Sequence, residues 1–302
     1  MALPTACKTL VLNDMLTDAV STGRLLSKNT RPQNVVYSGL LAASVAFIQH
    51  TSLVRCVACY ILILCLYAVA TSLNNRADLH TDTLNKRADN PLVSQLLKQR
   101  ELTLFIFIML CVVAALQLLL AQPYSSIISI AYIVLAYAYS DKRLTIQSRG
   151  LWGTILLGVC YSALPLLLGA YQRPSNVHTG LIWISSWATL STIPIVLAKD
   201  YKDYLGDKLT NKLTPLVRHG ITKVRLIAYT TIALSSVAYL ALATVYKVGL
   251  LMLVTCGLIC LIYVLLTICL HLKLGNLQKA YKNTLLFALL VLVTLLMQAS
   301  RA

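Results

Sequence analysis

Six oxygen-bearing side chains fall into two sets along this chain. Asn74, Asp78 and Asp82 are spaced i, i+4, i+8, and Asp200, Asp203 and Asp207 are spaced i, i+3, i+7. On a helix either spacing puts all three side chains on one face. Two such faces turned toward each other make a pocket of five carboxylates and one amide oxygen. Repulsion in that pocket is relieved by protons or by bound cations. A hard divalent ion suits it: Mg²⁺ takes oxygen ligands, keeps waters, and is usually held by one or two carboxylates together with substrate phosphates. The pattern therefore predicts Mg²⁺ bridging a diphosphate. Soft-metal chemistry is not indicated, because His and Cys do not gather near either set. Cys56 and Cys59 form a lone CxxC at the start of an apolar stretch, with no second pair at zinc spacing.

The elements that must carry these residues are apolar. Hydrophobic residues make up 58 % of the chain and charged ones 12 %, against about 25 % charged in soluble domains. Mean hydropathy is +0.74. Segments of spanning length and composition lie at roughly 34–50, 53–73, 102–121, 124–139, 150–170, 179–198, 227–246, 248–270 and 284–299. The expected fold is an all-α integral membrane protein of nine transmembrane helices. A single domain over 1–302 is expected, with 1–32 as an interfacial N-terminal segment. Residues 9–28 ("TLVLNDMLTDAVSTGRLLSK") read as an amphipathic helix lying along the inner leaflet. No secretory signal peptide is expected at the N-terminus, which carries Asp14 and Asp18 and no compact apolar core.

The net charge of +16 would suggest nucleic acid in a soluble domain. Here its placement gives a different reading. With nine spans and the N-terminus in the cytoplasm, 22 of the 26 Lys and Arg fall on the inner side, leaving Arg55, Arg173, Lys247 and Arg301 outside. That is the positive-inside pattern, and nucleic-acid binding has nothing left to explain. The C-terminus is then expected outside. All ten acidic residues are also on the inner side, which the positive-inside rule does not require. A cation-coupled transporter is the reading from another class. It would place ionisable residues near the bilayer midplane, and the predicted span cores carry no acid.

The motifs resemble those of a known family. "NNRADLHTD" is similar to the NDxxDxxxD motif of the UbiA-type membrane prenyltransferases, and "KDYKDYLGD" to their second Asp-rich motif, KDxxDxxGD. Arg31-Pro32, "YSDKR" after the fourth span, and both motifs on one side extend the likeness over essentially the whole chain. The resemblance implies a helical bundle around a central cavity, with Mg²⁺ as cofactor. It implies transfer of a prenyl group from a polyprenyl diphosphate to an aromatic or other lipid-precursor acceptor. Asn74, Asp78, Asp82, Asp200, Asp203 and Asp207 match the metal motifs. Lys142 and Arg143 match a basic pair near the diphosphate, and Tyr139 an aromatic near the reacting end. Lys86 and Lys199 are further candidates for diphosphate contact, Tyr201 and Tyr204 for lining the mouth, and Arg31 for the acceptor. A terpene cyclase and a polyprenyl-phosphate sugar transferase stay open within the same superfamily. Two departures stand out. Asn75 replaces the motif's second Asp, about 100° round the helix from Asn74. Asn90 stands where an Arg is usual, in a stretch ("NKRADNP") one residue longer than the family's.

Overall fold

In the computed structural model, residues 32–141, 143–173, 180–201 and 203–245 are described, apart from the side chains of 32–34 and 243–245. The described residues are helical, with no strand. In chain order the helices are α1 (Pro32–Ile48), α2 (Leu53–Ala77), α3 (Leu79–Leu84), α4 (Gln99–Leu120) and α5 (Pro123–Ser140). They continue with α6 (Leu151–Gly158), a π turn (Val159–Ala163), α7 (Leu164–Ala170), α8 (Gly180–Lys199), α9 (Tyr204–Leu209) and α10 (Pro215–Val245).

Five helical stretches are long and apolar enough to cross a membrane: Leu53–Ala77, Gln99–Leu120, Leu151–Ala170, Gly180–Lys199 and Pro215–Leu242. The first and fourth expected spans are the shorter α1 and the 18-residue α5. The expected spans at 248–270 and 284–299, the amphipathic segment at 9–28 and the C-terminus lie outside the described residues.

Two boundaries differ from the sequence reading for one reason. Apolarity marks the part of a helix that meets lipid, and not the helix itself. Helix α2 runs past residue 73 to Ala77, carrying polar residues beyond the apolar stretch. Helix α10 starts at Pro215, well before the expected 227, and its first turns carry Arg218, Lys223 and Arg225. Proline suits a helix start because its missing N–H would have no partner there. Gly220, at φ 75° and ψ 168°, interrupts the helical backbone, a conformation glycine adopts without a Cβ penalty.

The core joins α1, α2, α4, α5 and α7 around Leu62, Leu66, Tyr67, Leu120, Tyr132 and Leu168. A second cluster, Ile193, Leu197, Leu216, Val224 and Ala228, packs α8 against α10. The π turn has a local cause. Pro165 has no N–H for the carbonyl four residues back, at Tyr161. The Ser38 hydroxyl, from α1, donates to that carbonyl at 2.8 Å instead. The wider turn carries Cys160 and Tyr161, both of which line an internal cavity.

Candidate active site

Each carboxylate set sits where a long helix breaks. The spacing predicted a continuous helical face, but α2 ends at Ala77 and α3 begins at Leu79. Between them Asp78 has φ −89° and ψ 6°. Its N–H still bonds to the Asn74 carbonyl at 2.8 Å, and its own carbonyl accepts from Asp82 N–H at 2.7 Å, so the three residues keep nearly helical register. The second set departs further. Helix α8 stops at Lys199, Asp200 and Asp203 occupy a turn, and α9 restarts at Tyr204. All five carboxylates are nevertheless buried.

The two short helices α3 and α9 dock on each other, and Asn85 makes the joint. Its amide oxygen accepts from Gly206 N–H at 2.7 Å, and its amide nitrogen donates to the Asp203 carbonyl at 3.1 Å. Gly206 has to be glycine here, because a Cβ would overlap the Asn85 side chain. The Thr81 hydroxyl donates to Thr210 across the same joint at 3.1 Å. The Gly of the second motif is thus explained by a contact from Asn85, three residues past the first motif.

Internal cations and amides hold three of the carboxylates. Arg87 crosses between the sets, 3.2 Å from Asp203 and 3.5 Å from Asp82, and pairs with Asp89 at 2.6 Å. Asn90 donates to Asp82 at 2.8 Å and to the Asn75 carbonyl at 3.0 Å, while its oxygen accepts from Leu92 N–H. Asn90 is therefore an orienting residue for Asp82, and Asn75 is wholly buried. Asp78 is the most heavily engaged. Its Oδ2 accepts from Lys212 Nζ at 2.7 Å and from Asn74 at 3.1 Å, and its Oδ1 accepts from Gln147 at 3.0 Å.

Asp200 and Asp207 differ, since neither carboxylate has a side-chain hydrogen bond among the described residues. Burial pushes Asp207 up to about 7; Lys212 pulls it down, and Asp203, Asp200 and Asp78 add to the rise. Burial likewise pushes Asp200 up to about 6, with Lys199 and Lys212 opposing and Asp203 adding. Asp82 is raised by burial against the pull of Arg87 and Asn90. For Lys212, burial works against the charge, but Asp78, Asp207 and Asp82 outweigh it and raise the ammonium. These mutual influences place the five carboxylates in one electrostatic neighbourhood.

The donor set is chemically right for a hard divalent cation: carboxylates and amide oxygens, two of the carboxylates without a hydrogen-bonded partner. As the side chains stand, among the described residues no three acidic or His and Cys groups converge on a single metal position. Asp78 is paired with Lys212, and Asp82 and Asp203 with Arg87.

Behind the carboxylates a cavity runs into the bundle, with about 510 Å³ of empty space counting its open mouth. Asn74, Ser140 and Lys199 stand at the carboxylate end, and Tyr67, Tyr132, Tyr139, Tyr161 and Leu156 line the rest. Tyr139 and Lys199, both candidates from the sequence, line this cavity. Lys86 is not among the carboxylates; it is exposed in the turn ending α3, at φ 51°. Arg143 is also exposed, and its backbone N–H donates to Asp141 at 2.8 Å. Arg31 and Lys142 lie outside the described residues. Tyr201 and Tyr204 pack on the α8–α10 cluster rather than on the cavity. Sequence reasoning missed Lys212, Gln147, Asn85, Arg87 as a clamp, and the three further tyrosines. For Lys212 a weak signal existed, since it stands five residues after Asp207 in the same loop.

Comparison with known proteins agrees with this architecture. The sequence profile of the UbiA prenyltransferase family matches residues 35–291. A search of curated proteins finds no match. Among solved structures, a UbiA homologue from Archaeoglobus fulgidus bound to DMAPP and Mg²⁺ superposes with a TM-score of 0.70 at 17 % identity, covering 90 % of this chain and 99 % of that one. A UbiA homologue from Aeropyrum pernix K1 gives 0.70 at 19 %, covering 85 % and 97 %. A structure of digeranylgeranylglyceryl phosphate synthase gives 0.60 at 19 %, covering 91 % and 96 %. At these identities the structures speak for the fold. The profile covers most of the chain, and this integral membrane protein belongs to the UbiA prenyltransferase family.

Proposed function

We propose that this chain transfers a polyprenyl group from a polyprenyl diphosphate to a small acceptor, as one catalytic unit working at the cytoplasmic face of the bilayer. One observation carries the reading above the others. Two carboxylate sets about 120 residues apart in the chain are docked together by Asn85 and Gly206, beside a tyrosine-lined cavity. An anionic head that needs cations and an apolar tail that needs shelter fit that pairing. The Archaeoglobus fulgidus homologues bound to DMAPP or GPP with Mg²⁺ support the same substrate class and cofactor here.

In the reaction the bond between the allylic carbon and the diphosphate oxygen breaks, and its electron pair leaves with the diphosphate. An electron-rich acceptor atom then bonds to the carbon and gives up its proton to the released diphosphate or to water. Residues drawn from Asn74, Asp78, Asp82, Asp200, Asp203 and Asp207 would hold Mg²⁺, which when bound would supply Lewis-acid stabilisation of the leaving diphosphate. The chain's own part is positional and electrostatic. Lys199 adds fixed positive charge beside the leaving group, with Lys142 and Arg143 as further sources. Tyr139 faces the reacting end, where an aromatic ring stabilises allylic positive charge. The apolar walls keep water from the cation.

The test is diphosphate release by purified protein with geranylgeranyl diphosphate, in Mg²⁺ or in EDTA, with and without aromatic and glycerol-phosphate acceptors. Release that needs Mg²⁺ and is lost in Asp78→Ala and Asp200→Ala is the expected result, and the acceptor that accelerates it names the pathway as quinone or membrane-lipid type. Release without any acceptor, giving a cyclic hydrocarbon, would favour a terpene cyclase. No release at any donor length from folded protein would count against prenyl diphosphate chemistry.

A further inference from the structure

Lys212 joins the two carboxylate sets. Its backbone N–H bonds to the Asp207 carbonyl at 2.8 Å, and its ammonium bonds to Asp78 at 2.7 Å. It sits between α9 and α10 in a non-helical stretch, next to Asn211 at φ 53°. Asp78 offers a metal little while this contact stands. A carboxylate has about four acceptor positions, and three on Asp78 are taken by Lys212, Asn74 and Gln147. The ammonium also repels any divalent ion brought to the same oxygen. The pair is buried, with side chains 15 % and 7 % exposed, so solvent screens that repulsion weakly.

Resting on the metal-site reading above, we propose that Lys212 competes with the divalent cation for Asp78 and yields only when a diphosphate takes over its ammonium. Lys212 is then a substrate-contacting residue that makes metal binding conditional on the diphosphate. Moving the ammonium costs the ion pair, and only an anion arriving at the site replaces it. A diphosphate does so, and Asp78 is left with free lone pairs. By linkage the effect is reciprocal: the metal and the diphosphate each raise the other's affinity.

The experiment measures Mn²⁺ binding by electron paramagnetic resonance on the full chain in detergent, with and without inorganic pyrophosphate. Wild type is compared with Lys212→Met and with Lys208→Met, which removes an exposed charge from the same segment. In the absence of pyrophosphate, Lys212→Met is expected to tighten Mn²⁺ binding by about tenfold, the scale of a buried charge contact. Lys208→Met is expected to change it little. The tightening must vanish in an Asp78→Asn background, because it acts through that carboxylate. Should Lys212→Met not fold, Lys212→Gln removes the charge while keeping a donor for Asp78, and is expected to tighten Mn²⁺ binding in the same direction by less. Mn²⁺ binding that Lys212→Met alters no more than Lys208→Met would overturn the proposal and leave the metal site standing. No Mn²⁺ binding by any variant, with or without pyrophosphate, would sink the metal site and the proposal with it.

Discussion

Five buried carboxylates in one neighbourhood are a cost that single residues have to offset. Arg87 and Lys212 offset it for Asp82, Asp203 and Asp78, while Asp200 and Asp207 have no such pairing among the described residues and are pushed up to about 6 and about 7. A carboxyl raised in the folded protein holds its proton more tightly there than in the unfolded chain. Its contribution to stability is therefore present at low pH and is lost as pH rises through the folded value. In EDTA, the thermal midpoint of the protein in detergent is expected to fall as pH is raised from about 5 to about 8. Asp207→Asn should flatten that slope, and added Mg²⁺ should reduce it by giving the ionised carboxylates a cation. A midpoint that instead rises steadily over the same range would show that these groups ionise at ordinary carboxylate values.

At the scale of elements, the site depends on two six-residue helices, each hung from a break in a long one. Helices this short have little stability alone, so their docking fixes them. Gly206→Ala forces a Cβ into Asn85, and Asn85→Ala removes both bonds of the joint. Each change is expected to cost about 1–3 kcal/mol and to lower activity far more than it lowers the melting point of the long helices. The double variant relieves the overlap but cannot restore the bonds. It should be no worse than the poorer single variant, a non-additivity that thermal unfolding with parallel activity measurements would show. This joint also shows how far the sequence was legible. Asp78, Asp82, Asp200, Asp203 and Asp207 could be read from type and spacing because the chain has so few acids. Asn85, Gln147 and Lys212 could not, because their partners are 121, 69 and 134 residues away. Lys212 was further hidden among basic residues whose placement topology already explained. The helix breaks at Asp78 and Asp200 were invisible for a related reason: nearly helical hydrogen bonds persist through the first, and spacing alone does not register a turn that keeps side chains on one side.

For the whole molecule, the central relation is between a charged mouth and an apolar interior. The cavity begins at Asn74 and Lys199 and reaches Tyr67 on α2, Tyr132 on α5 and Tyr161 on the π turn. From Asn74 to Tyr67 is seven residues of one helix, about 10 Å at the rise of an α-helix. On the proposed function, a head group held at the carboxylates has the first part of its apolar tail alongside these rings. Leu156, on α6, lines this path and packs against the core cluster. Leu156→Trp narrows the path by the difference in side-chain size and leaves the metal and diphosphate contacts alone. Its expected effect is a selective one. Affinity for inorganic pyrophosphate with Mn²⁺ should match wild type. The KM for geranylgeranyl diphosphate should rise by about tenfold, since each buried methylene group excluded from an apolar site costs about 0.8 kcal/mol. A competition series of pyrophosphate, dimethylallyl diphosphate and geranylgeranyl diphosphate would resolve this. Equal weakening of all three would mean that the substitution reaches the carboxylates through the bundle. Unchanged binding of all three would mean that the prenyl tail takes another route out of the site.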